Sequence, residues 1–320
     1  MAQPTNTFDS YDMVGIREDL SDMIHDVSPD EAPFYSKCGK TKATNTYHEW
    51  QTDALRSSAV NAHIEGDDTV AVARTATSRL GNYSQIFKDA VIIPGSDDGL
   101  NKAGRGSEMA KQVLKIAKEQ KLDIELALFA NNARVAGDGA TPRELAGVPA
   151  WMLTNTVFES GSSGADPTGD GTDARTDDGT PVAFSQARLN TALQSAWVSG
   201  GRPDTVYLSA FQMNVALGFT GNNNQRSTIR AKRGSNEVVN HMDVYVTPWG
   251  TVEFMPSREN RGRDVFVMQS DMWKVATLRG TKNTALAKTG DSDKRQIITE
   301  LTLVSANEKA SAAVFDNTTS

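Results

Sequence analysis

Two short stretches near the N-terminal end contain residue types that could do chemistry. The run Gly39–Thr41 matches the end of a phosphate-binding loop, in which backbone N–H groups and a lysine hold phosphates. Phe34 stands where that loop needs its first glycine, so we do not predict a nucleotide site. His48 and Glu49 begin the zinc-protease pattern, but Thr52 replaces the second histidine and the local period of two indicates a surface strand.

Two other stretches contain possible metal ligands. His63–Glu65 matches half of a zinc deaminase signature, which also needs a pair of cysteines, and the chain has only Cys38. The loop Asp166–Asp177 has carboxylates and a glycine at calcium-loop spacing, but its last position is Asp where Glu is usual. We interpret it as an exposed, solvated loop, with a binding module that uses it as an alternative. We predict no catalytic residue, no cofactor and no metal site.

A cluster of basic residues interrupts an otherwise acidic chain. The net charge is −7 and the pI about 5.2, which disfavours a protein whose whole surface coats nucleic acid. The cluster could meet phosphate, but it lacks the interleaved aromatic residues that stack on single strands. Contact with an acidic surface of a neighbouring subunit is the other interpretation. The cluster consists of Arg226, Arg230, Lys232 and Arg233.

The longest element that could position these residues is a helix from Ser107 to about Arg134. No Gly or Pro occurs between Glu108 and Ala136, and apolar residues recur at steps of three and four. Ser107 suits the N-cap, and Gly137 stands where a left-handed residue would end the helix. At 1.5 Å per residue the helix would span roughly 40 Å, so we predict that it is the spine of a domain.

Upstream of this helix the sequence has the period of strands. Thr44–Thr52 and Leu80–Ile93 predict two extended segments. Between them, Ala54–Ser78 is small, polar or charged and has few large aliphatic residues. Connections longer than about 12–15 residues are uncommon inside compact domains and often bind partners. We therefore predict that this excursion has no core of its own and forms a partner surface.

Downstream of the helix, helices and strands alternate, which indicates an α+β or α/β domain. Leu145–Val157 is apolar enough to enter a core, whereas Gly161–Thr180 has the composition of an exposed loop. The last two apolar runs, Gln296–Val304 and Ala310–Phe315, are typical of a hairpin. Between these regions we predict helices over Ser185–Val198 and Phe211–Leu217 and strands over Thr205–Leu208, Val238–Thr247, Thr251–Met255, Asp264–Met268 and Met272–Leu278.

Length and composition limit the class of protein. A chain of 320 residues is long enough for about two domains. The single Cys38 cannot form an intrachain disulfide, and Met1–Asp12 lacks the pattern of a secretory signal. No run approaches about 18 consecutive apolar residues, so we predict no membrane contact and folding in the cytoplasm.

The order of arm, two-stranded excursion, long helix, mixed domain and C-terminal strands resembles the major capsid protein of tailed double-stranded DNA bacteriophages. That family has the α+β Hong Kong 97-like fold. Four stretches resemble podophage-type members in amino-acid sequence. The resemblance as a whole covers most of the chain. These stretches are Arg17–Asp22 through Ser28–Pro29, Thr46–Thr52, Arg79–Tyr83 and Lys102–Arg105.

This resemblance implies a division of the chain into five regions. In this division the excursion corresponds to the E-loop, which lies across a neighbouring subunit in that family. The long helix corresponds to the spine of the peripheral P-domain. The mixed region becomes the axial A-domain, an α/β unit whose loops gather at the centre of hexamers and pentamers. The regions are an N-terminal arm (1–42), the E-loop (43–93), the P-domain spine region (94–144), the A-domain (145–275) and the C-terminal P-domain strands (276–320).

The implied function is structural, namely self-assembly through hexamers and pentamers into an icosahedral shell around double-stranded DNA. The implied partners are further copies of the chain, the portal and, because the arm is short, a separate scaffolding protein. The implied place is the virion capsid, assembled in the host cytoplasm. An encapsulin-like compartment of the same fold is an alternative. Predicted inter-subunit contacts are Tyr47, His48, Trp50, Arg56 and Ile64 in the E-loop, and the four basic residues named above in the A-domain.

Overall fold

The computed structural model describes residues 31–56, 58–68, 71, 73–74, 76–98, 100, 106–158, 163–219 and 244–319. Helices and strands are mixed along this part of the chain. The helices are α1 (Pro33–Lys37), α2 (Gly95–Asp98), α3 (Glu108–Phe129), α4 (Gln186–Val198) and α5 (Ala210–Leu217), with short 3-10 turns at Val148–Trp151, Ser270–Met272 and Glu308–Ala310. None of the described helices has the length and apolar character needed to cross a bilayer.

The described strands form three sheets. Strands β1, β10, β11 and β4 make a four-stranded sheet in that order, and β5, β12, β9, β6, β8 and β7 make a six-stranded sheet. Strands β2 and β3 pair only with each other in a hairpin. The strands are β1 (Gly39–Lys42), β2 (Tyr47–Thr52), β3 (Ser78–Tyr83), β4 (Gln85–Pro94), β5 (Thr156–Val157), β6 (Thr205–Leu208), β7 (Val244–Thr247), β8 (Gly250–Pro256), β9 (Val265–Met268), β10 (Trp273–Ala285), β11 (Ser292–Ser305) and β12 (Ala312–Val314).

Helix α3 begins where the sequence predicts and ends earlier. The Ser107 hydroxyl accepts a hydrogen bond from the Ala110 N–H at 3.4 Å, as expected of an N-cap. The helix stops at Phe129, although no Gly or Pro breaks it there. At this point Gly147 packs against the Ala130 carbonyl so closely that a Cβ atom would lie 2.0 Å from its oxygen. The prediction of a helix reaching Arg134 and ending at Gly137 is therefore wrong, because the helix ends at this close packing contact instead.

Two large apolar clusters and a small third one, made of Ala43, Ala276 and Val304, form the core of the described chain. The larger one lies between α3, the four-stranded sheet and one face of the six-stranded sheet, and its centre is aromatic. The Phe129 ring centroid lies 4.9 Å from that of Phe34 and 5.5 Å from that of Phe266. The smaller of the two large clusters lies between α4, α5 and the six-stranded sheet, where Leu189 and Leu193 are buried. The helices predicted from Ser185 and over Phe211–Leu217 are thus confirmed, with their apolar faces inward.

One prediction about strand pairing is wrong, and one run that is extended as predicted forms two strands instead of one. The expected C-terminal hairpin does not form, because β11 pairs with β10 and β4 while β12 pairs with β5 and β9 in the other sheet. The extended run Leu80–Ile93 is divided between two sheets, since β3 pairs with β2 and β4 pairs with β11 along ten residues. Alternation of apolar residues shows that a segment is extended, but it does not select the partner strand.

The loop predicted as exposed over Gly161–Thr180 is in part a buried ionic cluster, so that prediction is wrong for its centre. The Arg175 side chain is fully buried, and its Nη2 lies 2.6 Å from Oδ2 of Asp316. The Arg175 guanidinium also lies 4.2 Å from the centroid of the Phe315 ring. These contacts fasten the loop to the C-terminal segment, whose Asp316 has a φ of 57°.

Further pairs extend this ionic cluster beneath the six-stranded sheet. Arg261 contacts both Asp177 and Asp264, the latter at 2.8 Å, and Arg263 lies 3.1 Å from Asp316. Burial raises the pKa of the Asp264 carboxyl to about 7, against the opposing effect of Arg261. A buried charge of this kind is tolerated when it is paired and hydrogen-bonded. The cluster therefore depends on all its arginines being present.

We expect Arg175→Met to lower the free energy of unfolding by about 3–5 kcal/mol, because it removes the fully buried arginine that pairs with the buried Asp316 and the half-buried Asp166. Chemical denaturation of the purified chain measures this change. The matched control is Arg79→Met, which removes a surface ion pair with Glu49 and should cost about 0–1 kcal/mol. Equal effects of the two substitutions would contradict a structural role for the buried cluster.

Candidate assembly interface

The β2–β3 hairpin projects from the body of the protein and is the candidate for contacts between copies. Its strands pair from Tyr47 with Tyr83 at the base to Thr52 with Ser78 at the outer end. The chain between the two strands of this hairpin is exposed throughout its described residues, whereas β4, which follows β3, belongs to the four-stranded sheet. The hairpin and its connection occupy Tyr47 to Tyr83, within the region 43–93 that the sequence assigns to the excursion.

Aromatic packing fixes the inner face of the hairpin base. The Trp50 ring centroid lies 5.3 Å from that of Trp151, which is itself buried in the larger core. On the opposite side of β2, the Tyr47 and Tyr83 ring centroids are 4.6 Å apart. The Arg134 guanidinium lies 5.4 Å from the Tyr47 ring centroid and donates a hydrogen bond to the Gly81 carbonyl. Both sides of the base are thus attached to the body.

Asn82 is the polar anchor of the base, and sequence analysis missed it. Its side chain is completely buried, and its Nδ2 donates to the carbonyl oxygens of Leu303 at 3.0 Å and Ala146 at 3.3 Å. Its Oδ1 accepts from the Ala146 N–H at 2.9 Å. One amide side chain therefore joins β3, β11 and the segment before the Val148–Trp151 turn. A single asparagine in a strand gives no pattern from which such a role could be predicted.

The residues beyond the base are exposed where the structure describes them. Leu55 is 99% exposed, Val60 96% and Ile64 84%, values that are unusual for large aliphatic side chains. A turn closes the tip, in which the Asp67 N–H donates to the Ile64 carbonyl at 3.1 Å and Gly66 has a φ of 83°. We call the described residues 53–77 the outer limbs and Ile64–Asp68 the tip. Apolar side chains in these limbs have no cover within their own subunit.

The predicted contact residues divide between base and limbs. The rings of Tyr47, His48 and Trp50 pack within their own chain, and partial burial lowers the pKa of His48. Arg56 and Ile64 lie in the exposed limbs. The basic cluster of Arg226, Arg230, Lys232 and Arg233 lies outside the described residues. The inter-subunit role of all these residues stays a prediction.

The side chains that the sequence offered as possible metal ligands or reactive groups make contacts within the fold. Asp166 and Asp177 lie within ion-pair distance of Arg175, and Asp170 accepts hydrogen bonds from Thr168 and Thr172 at 2.9 Å and 2.5 Å. Cys38 is buried, and burial raises its thiol pKa, which disfavours the reactive thiolate. In the described part of the chain, no group of three or more His, Cys, Asp or Glu side chains is arranged to hold a metal ion.

Comparison with known proteins assigns this architecture to a family. A family model described as SU10 major capsid protein matches residues 3–318. The chain belongs to this family. It is 27% identical to the major capsid protein of Escherichia phage Phieco32 in an alignment of 348 residues that covers 98% of each chain.

Solved capsid structures show the same fold as this SU10 family member. The cyanophage A-1(L) capsid asymmetric unit contains a chain with a TM-score of 0.63 and 12% identity, over 98% of this chain and 99% of that one. A native GTA capsid particle gives a TM-score of 0.60 and 8% identity, over 97% and 98%. The predicted Hong Kong 97-like α+β fold is confirmed, and so is the prediction of a phage major capsid protein. The encapsulin-like and binding-module alternatives are not favoured.

We expect Asn82→Ala to lower the free energy of unfolding by about 2–4 kcal/mol, because it leaves buried backbone groups of Ala146 and Leu303 without partners. The control Leu55→Ser changes a fully exposed limb residue and should stay within about 0.5 kcal/mol. Urea denaturation of the two variants measures both values. A loss of stability in Leu55→Ser as large as in Asn82→Ala would contradict the division into anchored base and exposed limbs.

Proposed function

We propose that this capsid protein assembles through hexamers and pentamers into an icosahedral head around double-stranded DNA, without enzyme activity. The observation that carries the proposal is the β2–β3 hairpin, which is anchored at Asn82 and Trp50 and carries uncovered aliphatic side chains at Leu55, Val60 and Ile64. Apolar surface of this kind gains stability only when another molecule covers it. In a shell, that molecule is a neighbouring subunit.

We infer that the hairpin is the E-loop and that the rest of the chain follows the five-region plan. The four-stranded sheet and α3 then form the P-domain, and the six-stranded sheet with α4 and α5 forms the A-domain. Strand pairing refines this plan, since β4 joins the P-domain sheet and β12 joins the A-domain sheet. The regions proposed are 1–42 (arm), 43–93 (E-loop), 94–144 (spine), 145–275 (A-domain) and 276–320 (P-domain strands).

The proposed partners beyond the chain itself are a separate scaffolding protein, the portal and packaged DNA on the inner face. Assembly is proposed in the host cytoplasm, and the podophage type stays a prediction. Self-association is expected of a member of a major capsid protein family. The other partners are proposed because a phage head is built with them.

Replacing residues 56–75 by a short Gly/Ser link tests the E-loop proposal. We expect a soluble chain that melts cooperatively, because the exposed limbs contribute little to its own core and a shorter loop changes closure entropy only slightly. Closed particles should be absent by electron microscopy, because a contact repeated throughout the shell is lost. Normal particles from the truncated chain would contradict the E-loop assignment, and so would failure of that chain to fold.

We also propose that the basic cluster of Arg226, Arg230, Lys232 and Arg233 contacts an acidic surface of an adjacent subunit near the capsomer axis. Its support is the charge contrast with a chain of net charge −7. Reversing all four charges to Glu should reduce capsomer yield, and the defect should depend on salt because ions screen such contacts. Native mass measurement over a salt series tests this. Wild-type yield at every salt concentration would contradict the proposal.

A further inference from the structure

In the part of the chain that the structure describes, the outer half of one face of the four-stranded sheet has no cover, whereas nearer the hairpin base Ala276 and Val304 are buried beside Trp50. Helix α3 covers the other face, where the Gln120 side chain hydrogen-bonds to the Ile297 carbonyl and the Thr299 hydroxyl, both groups being buried. Phe87 and Ile93 of β4 point to that covered face and are 7% and 5% exposed. Their neighbours Ile86 and Ile92, which point the other way, are 44% and 59% exposed. Two isoleucines of β4 are therefore partly exposed to solvent on this outer half of the face in the single subunit.

The strand register shows which residues share this uncovered face. Residues directly opposite each other in an antiparallel pair lie on the same face. Lys88 pairs with Ile298, which pairs with Lys282, and Ile92 pairs with Lys294. We call this set the open face. It consists of Ile86, Lys88 and Ile92 on β4, Lys294 and Ile298 on β11, and Lys282 on β10.

The open face is basic in an acidic protein. It carries three lysines, and the acidic residues of these three strands do not balance them. Asp89 and Asp293 pair with Ile297 and Ile93 and so lie on the opposite face, where Asp293 forms an ion pair with Lys288 at 2.6 Å. Glu300 shares the open side but is held by Arg143 at 2.7 Å and Arg279 at 2.6 Å. A partner of this face would carry apolar and acidic side chains together.

The tip of the β2–β3 hairpin has this complementary chemistry. It presents Ile64, which is 84% exposed, followed by Glu65, Asp67 and Asp68. The turn closed between Ile64 and Asp67 holds the apolar and acidic groups within five residues. The exposure of Ile64 also shows that the tip is not docked on its own subunit.

We propose that the acidic tip of one subunit docks on the open face of the neighbouring subunit, with its carboxylates beside Lys88, Lys282 and Lys294. This inference rests on the proposed function of the hairpin as an arm between subunits. Each copy carries both the tip and the open face, which are different surfaces, so the contact runs head to tail. A head-to-tail contact generates a ring when its rotation closes, which is the geometry of hexamers and pentamers.

A charge-swap experiment on the full-length chain tests this docking. The face variant is Lys88→Glu, Lys282→Glu and Lys294→Glu, and the tip variant is Glu65→Lys, Asp67→Lys and Asp68→Lys. We expect each variant alone to reduce the yield of closed particles by about tenfold or more, because the repulsion is repeated at every contact of the shell. The chain that combines both variants should recover at least about a third of the wild-type yield, because it restores opposite charges.

The matched control for the open face is Arg295→Glu compared with Lys294→Glu. The two residues are neighbours in β11, and their side chains lie on opposite faces of the sheet. We expect Arg295→Glu to leave the particle yield within about twofold of wild type, while Lys294→Glu lowers it and makes it more dependent on salt. Equal effects of both substitutions would overturn the proposal.

A second measurement does not depend on how charge reversal affects folding. Cys38 is the single cysteine and is buried, so engineered cysteines at the surface can be followed alone. In assembled particles, Asp67→Cys with Lys282→Cys should form disulfide-linked oligomers on oxidation. Asp67→Cys with Arg295→Cys should form none. The absence of linked oligomers in the first pair would overturn the proposal.

The outcomes separate this inference from the proposed function. If the hairpin truncation abolishes particles while the face variant assembles normally, the docking proposal is wrong and the E-loop assignment stands. If the face variant fails and the combined variant does not recover, a different partner covers the open face and the docking proposal is again wrong. If the truncated chain assembles, the E-loop assignment itself is wrong.

Discussion

Burial of the C-terminal end of α3 is the constraint on which the rest of the structure depends. Leu128 and Phe129 are fully buried, and Phe129 packs on Phe266 of the six-stranded sheet. Earlier in the same helix, Gln120 and Ile124 are buried towards the four-stranded sheet. One helix therefore joins both sheets through a shared apolar core. Because close-packed interiors transmit displacement, the relative position of the sheets is set by this helix.

Charged and apolar side chains are distributed differently inside and outside the body that α3 and the two sheets form. Inside it, charged side chains occur in paired groups, such as Arg175 with Asp316, because an unpaired buried charge is too costly. Outside it, the hairpin limbs and the open face of the four-stranded sheet leave apolar groups in contact with water. A subunit with such surfaces folds alone at some cost and recovers it in a repeated assembly. Its acidic excess makes local charge complementarity between copies more important.

Much of the local structure could be predicted from the sequence. The N-cap at Ser107, the helix from Ser185, the strand Thr205–Leu208 and the coreless excursion after Thr52 all follow from caps, periodicity and composition. These signals are local, because a cap or an apolar face requires only residues a few positions apart. The order of such elements, together with four stretches of similar sequence, carried the resemblance to the capsid family.

The tertiary structure alone decided which elements meet. It ended α3 at Phe129, placed β11 and β12 in different sheets, and converted the Arg175 loop from a solvated segment into a buried ionic cluster. It also revealed Asn82 as the anchor of the hairpin. Each of these features depends on partners that are distant in sequence, and alternation or composition carries no information on distant partners. The sequence by itself thus determined the elements and their order, and long-range packing determined their pairing.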